Sequence, residues 1–266
     1  MGVIESLKKG LEVLKGSKVL VITIFGFNFI TALGMLMMIG VNPTPEKITE
    51  ITSALVVLFP ILILLWIFME GGIFSAVYGQ IKTKQINLNA FVGNCLKYFV
   101  RLLAINCIGG FVTVVLWFIG AFLTGLCIAM GGGNNIFFNA MGGIVLTITV
   151  ILAFFIAIPL LIGQYFAVIE DGKAIESLKK GMAFTKQLFW KNVGLFIMLA
   201  LILSVFSFSG NFFGALLTNT VGGWVSALFN ITLNSAINGC IGVFASGTII
   251  SFLLGSLTAK TEEIEK

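Results

Sequence analysis

No histidine occurs anywhere in the 266 residues, aspartate occurs once, as Asp171, and only 10% of the chain is charged. Each scarcity removes a class of chemistry. Without His, neither a Ser-His-Asp nor a Cys-His nucleophile can be assembled, and metal sites lose a principal ligand. A Ser/Lys dyad would need a lysine at depth, yet every Lys sits at the edge of an apolar run or in a polar connection. The four Cys, at 95, 107, 127 and 240, form no CxxC and lie in or beside apolar segments, so they read as small hydrophobes. The sequence therefore reads as non-enzymatic, with no catalytic residue, no cofactor and no metal site. Soluble domains carry about 25% charged residues; a mean hydropathy of +1.10 with 58% hydrophobic residues excludes that class.

What fills the chain instead is long apolar segments rich in Phe (26) and Gly (31), suited to lipid contact and to close approach of helices. Six stretches are long enough to span a bilayer: 19–39, 51–81, 102–130, 141–168, 193–217 and 225–257. The second is interrupted by Pro60 and by Glu70-Gly71-Gly72, and polar turns are expected at 41–50 and 131–140. Little chain is left for an extramembrane domain, so one transmembrane domain, 1–266, is the natural count. The apolar run after Lys18 is too long for a signal-peptide core, and the N-terminus reads as mature chain.

Fifteen of the sixteen Lys and Arg fall in the N-terminal segment, the connections after the second and fourth spans, and the C-terminal tail; Lys47 alone falls elsewhere. Positive residues mark the cytoplasmic side. The net charge of +5 thus needs no nucleic-acid partner, and both termini are expected in the cytoplasm of a multi-pass protein of the cell membrane.

One heptapeptide is written twice. Residues 4–10 and 175–181 both read IESLKKG, and each copy runs directly into an apolar segment. Around the first copy Val3, Ile4, Leu7, Leu11 and Leu14 share one face while Glu5, Lys8, Lys9, Glu12 and Lys15 occupy the other, the pattern of an amphipathic helix lying on the membrane surface. Residues 89–99 repeat it faintly, with Phe91, Cys95 and Phe99 on one face and Lys97 and Arg101 nearby. The expected fold is all-α and polytopic: three hairpins of spanning helices, each preceded by a cytoplasmic in-plane amphipathic helix. Three parallel units follow, 1–87, 88–172 and 173–266.

Residues 165–200, YFAVIEDGKAIESLKKGMAFTKQLFWKNVGLFIMLA, carry a resemblance. An aromatic span end, an acidic-Asp-Gly stop, an Ala/Ser/Lys helix and a Gly-Leu span resemble a group of prokaryotic six-span proteins similar to the membrane domain of glycerophosphoryl diester phosphodiesterases. The resemblance implies the six-span fold. Phosphodiesterases of that kind resemble barrel enzymes whose catalytic His lies in a separate soluble domain, and no such residue can be carried onto this chain.

Glu70 is the one acid flanked on both sides by span-like sequence, and ionisable groups at such depth are costly enough to point to function. Eleven residues before Ile81, it should sit roughly 16 Å along the helix from the cytoplasmic end. Its two readings are a transport acid and a structural acid beside closely packed Gly71 and Gly72. Lys8, Lys9, Lys179 and Lys180 read as headgroup contacts or as a dock for a partner such as a cytoplasmic ATPase. Asp171 is placed to cap the helix of the second IESLKKG. Asn28, Asn106, Gln164, Asn211, Asn234 and Asn238 line a polar path or, more in keeping with their kind, join helices. Close crossings are expected at Ala121/Gly125/Ala129, Gly210/Gly214 and Ser235/Gly239. The expected function is a permease-like or transport- and export-associated subunit, or a lipid-facing scaffold, with lipids and an ATPase or another membrane subunit as partners. An autonomous transporter or channel using Glu70 is the alternative.

Overall fold

The computed structural model describes residues 2–40, 45–87, 89–131, 135–221 and 223–264. They form eight helices: α1 (Val3–Gly16), α2 (Lys18–Ile39), α3 (Pro45–Thr83), α4 (Phe91–Met130), α5 (Ile136–Ile169), α6 (Ala174–Gln187), α7 (Phe189–Val221) and α8 (Gly223–Ile264). The fold is all-α and polytopic, because six of these, all but α1 and α6, contain stretches long and apolar enough to cross a membrane.

Several boundaries differ from the sequence reading for identifiable reasons. The turn expected at 41–50 is shorter: 41–44 lie outside the described residues, and α3 already begins at Pro45, a residue pre-set for a first helical turn. Neither Pro60 nor the Gly pair interrupts α3, since membrane helices tolerate such residues where neighbouring groups meet the freed backbone. Asn135 caps α5 by accepting the Phe137 amide at 3.0 Å. The tail continues α8 to Ile264.

The surface segments are not all alike. Helices α1 and α6 are separate 14-residue helices, and each meets its spanning helix at one elbow residue of nearly the same conformation: Ser17 at φ −113°, ψ 36° and Leu188 at φ −115°, ψ 36°. In both, the chain resumes helical bonding at once, Val21 N–H donating to the Ser17 carbonyl at 3.1 Å and Asn192 N–H to that of Leu188 at 2.9 Å. The middle segment has no elbow, and 91–130 is one 40-residue helix. Its buried residues Cys95, Tyr98, Leu102 and Ile105 keep the helical period straight through the junction, so nothing breaks the helix there.

The chain divides into two compact units, Met1–Phe99 with Val193–Lys266, and Val100–Asn192. In the first, α8 lies against α1, α2 and α3, with Leu20, Ile24, Val77, Val243, Ile250 and Leu253 fully buried. Small residues set the approach. Gly10 of α1 faces Thr248 and the Phe244 carbonyl, Gly247 faces Val13, and a Cβ at Gly239 would lie 2.9 Å from the Val21 carbonyl of α2. Gly210 and Gly214 of α7 face Ile237 and Asn230 of α8, as expected of that pair.

In the second unit α6 lies against α5, where a Cβ at Gly181 would meet the Pro159 carbonyl at 2.6 Å and the Gly163 nitrogen at 2.7 Å. Helices α4 and α5 meet through Gly120 against Thr149. The expected crossing at Gly125 is not made, for nothing lies within 4 Å of its Cβ position. Asp171 does not cap α6: the N-cap is Lys173, and no side chain bonds there. Asp171 instead adopts φ 53°, a turn conformation, and pairs with Arg101.

Candidate functional site

Glu70 sits inside α3 where that helix meets the beginning of α4. A Cβ at Gly72 would lie 2.5 Å from Cys95 Sγ, and one at Gly71 3.1 Å from the Tyr98 Cβ, so the two glycines are what lets the helices touch. One turn earlier, Trp66 Nε1–H donates to Glu70 Oε1 at 2.9 Å. The Trp66 ring in turn lies 6.2 Å from that of Phe27 on α2. Glu70 Oε2 is buried and has no hydrogen-bond partner among the described residues. The side chain therefore presents one anchored oxygen and one buried oxygen without a partner among the described residues. Trp66 was missed in the sequence, although the signal was its place four residues before Glu70 on one helix.

The other polar span residues sort unevenly. Gln164 Nε2 donates to Asn106 Oδ1 at 2.9 Å, joining α5 to α4, while Asn106 Nδ2 returns to the Leu102 carbonyl at 3.0 Å. Asn28 Nδ2 and Gln164 Oε1 are buried without partners. Asn234 lies against Gly210, Asn238 is exposed, and the Asn211 side chain falls outside the described residues. No group of three or more Cys, Asp or Glu that could hold a metal ion occurs among the described residues.

The four lysines named from the sequence divide into two kinds. Lys9 pairs with Glu5 at 3.9 Å, and Lys180 pairs with Glu170. The hydrogen bond to Glu170, then its charge, raises the Lys180 ammonium above its usual range. Lys8 and Lys179, by contrast, make no ion pair among the described residues, and neither do Lys15 and Lys186, which follow them by two turns. These four border apolar edges that the protein leaves uncovered: Ile4 is 68% and Leu11 48% exposed on α1, Ile175 64% and Met182 54% on α6. Lys15 was placed on the charged face of the first helix but not singled out as a contact, and Lys186 was missed, although each stands seven residues after Lys8 or Lys179.

On its other side α1 borders a mixed polar and apolar cavity of about 160 Å³, lined by Lys9, Glu12, Val13, Gln80, Ile81, Lys84 and Ser251. Ser251 Oγ is buried there without a partner.

With this geometry in view, the family model described as Domain of unknown function (DUF7847) matches residues 1–261, and the chain belongs to that family. No curated protein and no solved structure matches it.

Proposed function

We propose that this member of the DUF7847 family is a non-catalytic membrane protein of transport or export type, a permease-like subunit or lipid-facing scaffold with both termini in the cytoplasm. The observation that carries this reading is the doubled surface element. Helices α1 and α6 share IESLKKG, the same elbow, and the same exposed apolar edge bordered by unpaired lysines. Such a helix lies in the interface plane, and each basic group near anionic headgroups contributes about 1 kcal/mol.

The doubling supports three parallel units, 1–87, 88–172 and 173–266. At each junction the helix closing one unit touches the surface segment opening another through small residues. Gly163 of α5 lies against Ser177 of α6, Gly72 of α3 against Cys95 of α4, and Gly247 of α8 against Gly10 of α1. The resemblance to the membrane domain of glycerophosphoryl diester phosphodiesterases belongs to the same proposal. Lipids are the first partners, and a cytoplasmic ATPase or another membrane subunit the second.

The test is purification from native membranes in gentle detergent, with mass spectrometry of what remains bound. A stoichiometric ATP-binding protein, lost when Lys8, Lys9, Lys179 and Lys180 are reversed to Glu, supports the subunit. Retained lipids alone support the scaffold. Turnover of any substrate by the pure protein overturns the non-catalytic reading.

One observation favours a second reading, an autonomous transporter or channel: the unpartnered Oε2 of Glu70 at depth in α3. Glu70→Gln should then abolish ion-gradient-dependent uptake into proteoliposomes. Unchanged uptake with a folded variant would discard it.

A further inference from the structure

An apolar groove of about 350 Å³ is lined by Leu11 and Leu14 of α1, Phe206 of α7 and Ile237, Cys240 and Phe244 of α8. Its lining exposes no polar surface. The α8 lining runs from Phe244 to Ala236, eight residues or about 12 Å. At the α1 end the lining ends in charge. Lys15 follows Leu14 and stands one turn beyond Leu11, and Lys8 one turn before it; both are exposed and make no ion pair among the described residues.

We propose that this groove holds one acyl chain of an anionic phospholipid whose phosphate lies against Lys8 and Lys15. The inference rests on the reading of α1 as an in-plane helix. Size and charge choose the occupant together. Spread along about 12 Å, about 350 Å³ leaves a cross-section of about 30 Å², enough for an extended chain but not for a helix about 10 Å across, and a phosphate meets two cations that make no ion pair among the described residues.

The second surface helix is an internal contrast. Lys179 and Lys186 stand as Lys8 and Lys15 do and Met182, the counterpart of Leu11, is exposed, but Thr185, the counterpart of Leu14, is a buried polar residue. Helix α6 therefore offers the cations with only one of the two apolar residues that α1 gives the groove.

The experiment uses the full-length protein in phosphatidylcholine nanodiscs containing phosphatidylglycerol with a photoreactive group mid-chain, followed by peptide mapping. Label should concentrate on Ile237, Cys240 or Phe244, with unlabelled phosphatidylglycerol displacing it and phosphatidylcholine not. The Lys8→Gln/Lys15→Gln double substitution should reduce the preference for phosphatidylglycerol roughly 25-fold, the product of two headgroup-adjacent cations. Lys179→Gln/Lys186→Gln should leave groove labelling unchanged. Cys240→Trp, checked for a folded size-exclusion profile, should empty the groove with both lysines in place.

Labelling of exposed Phe111 and Phe118 on α4 as heavy as in the groove, or equal competition by both lipids, overturns the site. If the groove is unlabelled while Ile4 and Ile175 are labelled, the in-plane helices stand and the groove proposal falls. If Ile4 and Ile175 are also unlabelled, the in-plane reading itself fails.

Discussion

Replacing Gly181 by Ala adds one methyl group where a described glycine of its unit comes closest to the backbone of another helix. The new Cβ would stand 2.6 Å from the Pro159 carbonyl oxygen, 2.7 Å from the Gly163 nitrogen and 2.9 Å from the Gly163 Cα. All three are backbone atoms, so no rotamer change relieves the clash and α6 must move off α5. Overpacking of this size costs about 1–3 kcal/mol, against an intrinsic gain of about 0.5–1 kcal/mol for Ala over Gly inside a helix. The net loss is about 0–2.5 kcal/mol, or up to roughly 10 °C at about 2–4 °C per kcal/mol for a chain of comparable size. The assay is thermal unfolding of the detergent-purified protein at one fixed scan rate, because membrane proteins seldom unfold reversibly. Gly110→Ala is the control: it lies in the same unit, on α4, with nothing within 4 Å of its Cβ position. It should melt at or slightly above the parent. A Gly181→Ala melting point equal to or above that of Gly110→Ala would refute the account of α5 and α6 as a backbone-to-backbone contact.

Three further outcomes follow from the same geometry. Trp66→Phe removes the indole donor from Glu70 and leaves both carboxyl oxygens unpartnered, costing about 1–3 kcal/mol; Glu70→Gln keeps an acceptor for Trp66 and should lower the melting point less. Asn106→Leu and Gln164→Leu each break the α4–α5 hydrogen bond at about 0.6–2 kcal/mol, and the double variant should lose less than the sum of the two in a double-mutant cycle. Lys180 has its folded pKa raised by Glu170, so the stability from that pair is complete below the ordinary lysine value of 10.5 and is lost as pH rises through the higher folded value. Wild type and Lys180→Met should thus differ in melting point at neutral pH and converge in strong alkali.

The helices were legible because hydrophobic length is a coarse signal: the stretch read as 19–39 is the helix Lys18–Ile39, and the one read as 225–257 lies inside Gly223–Ile264. Punctuation was less so. Leu188 bends the chain with no Gly or Pro beside it and Ser17 with only Gly16 before it, because the bend follows from seating Gly10 on α8 and Gly181 on α5, contacts that sequence-local reasoning does not contain. At the middle segment the faint amphipathic pattern suggested a break, yet the apolar residues on either side of the junction stay in phase and the helix runs on. The site divides in the same way. Glu70 and its glycines could be picked out by type and depth, and the doubled KK by repetition. Which lysine of each pair is engaged depends on Glu170 folding back to Lys180 and on Glu5 standing one turn from Lys9, and this left Lys8 and Lys179 as the free members.

The seat of α1 has a consequence in time. Helix α6 rests on α5, its immediate predecessor in the chain, so that contact can close as soon as both are made. Gly10, however, rests on Thr248, 238 residues later. At synthesis rates of about 5–20 residues per second, roughly 12–48 s pass between the emergence of these two residues. Throughout that interval α1 exists without α8, its Ser6, Gly10 and Val13 face uncovered by the partner that will bury it. Identical heptapeptides thus enter the fold on different schedules, one beside a finished neighbour and the other long before the helix that covers it.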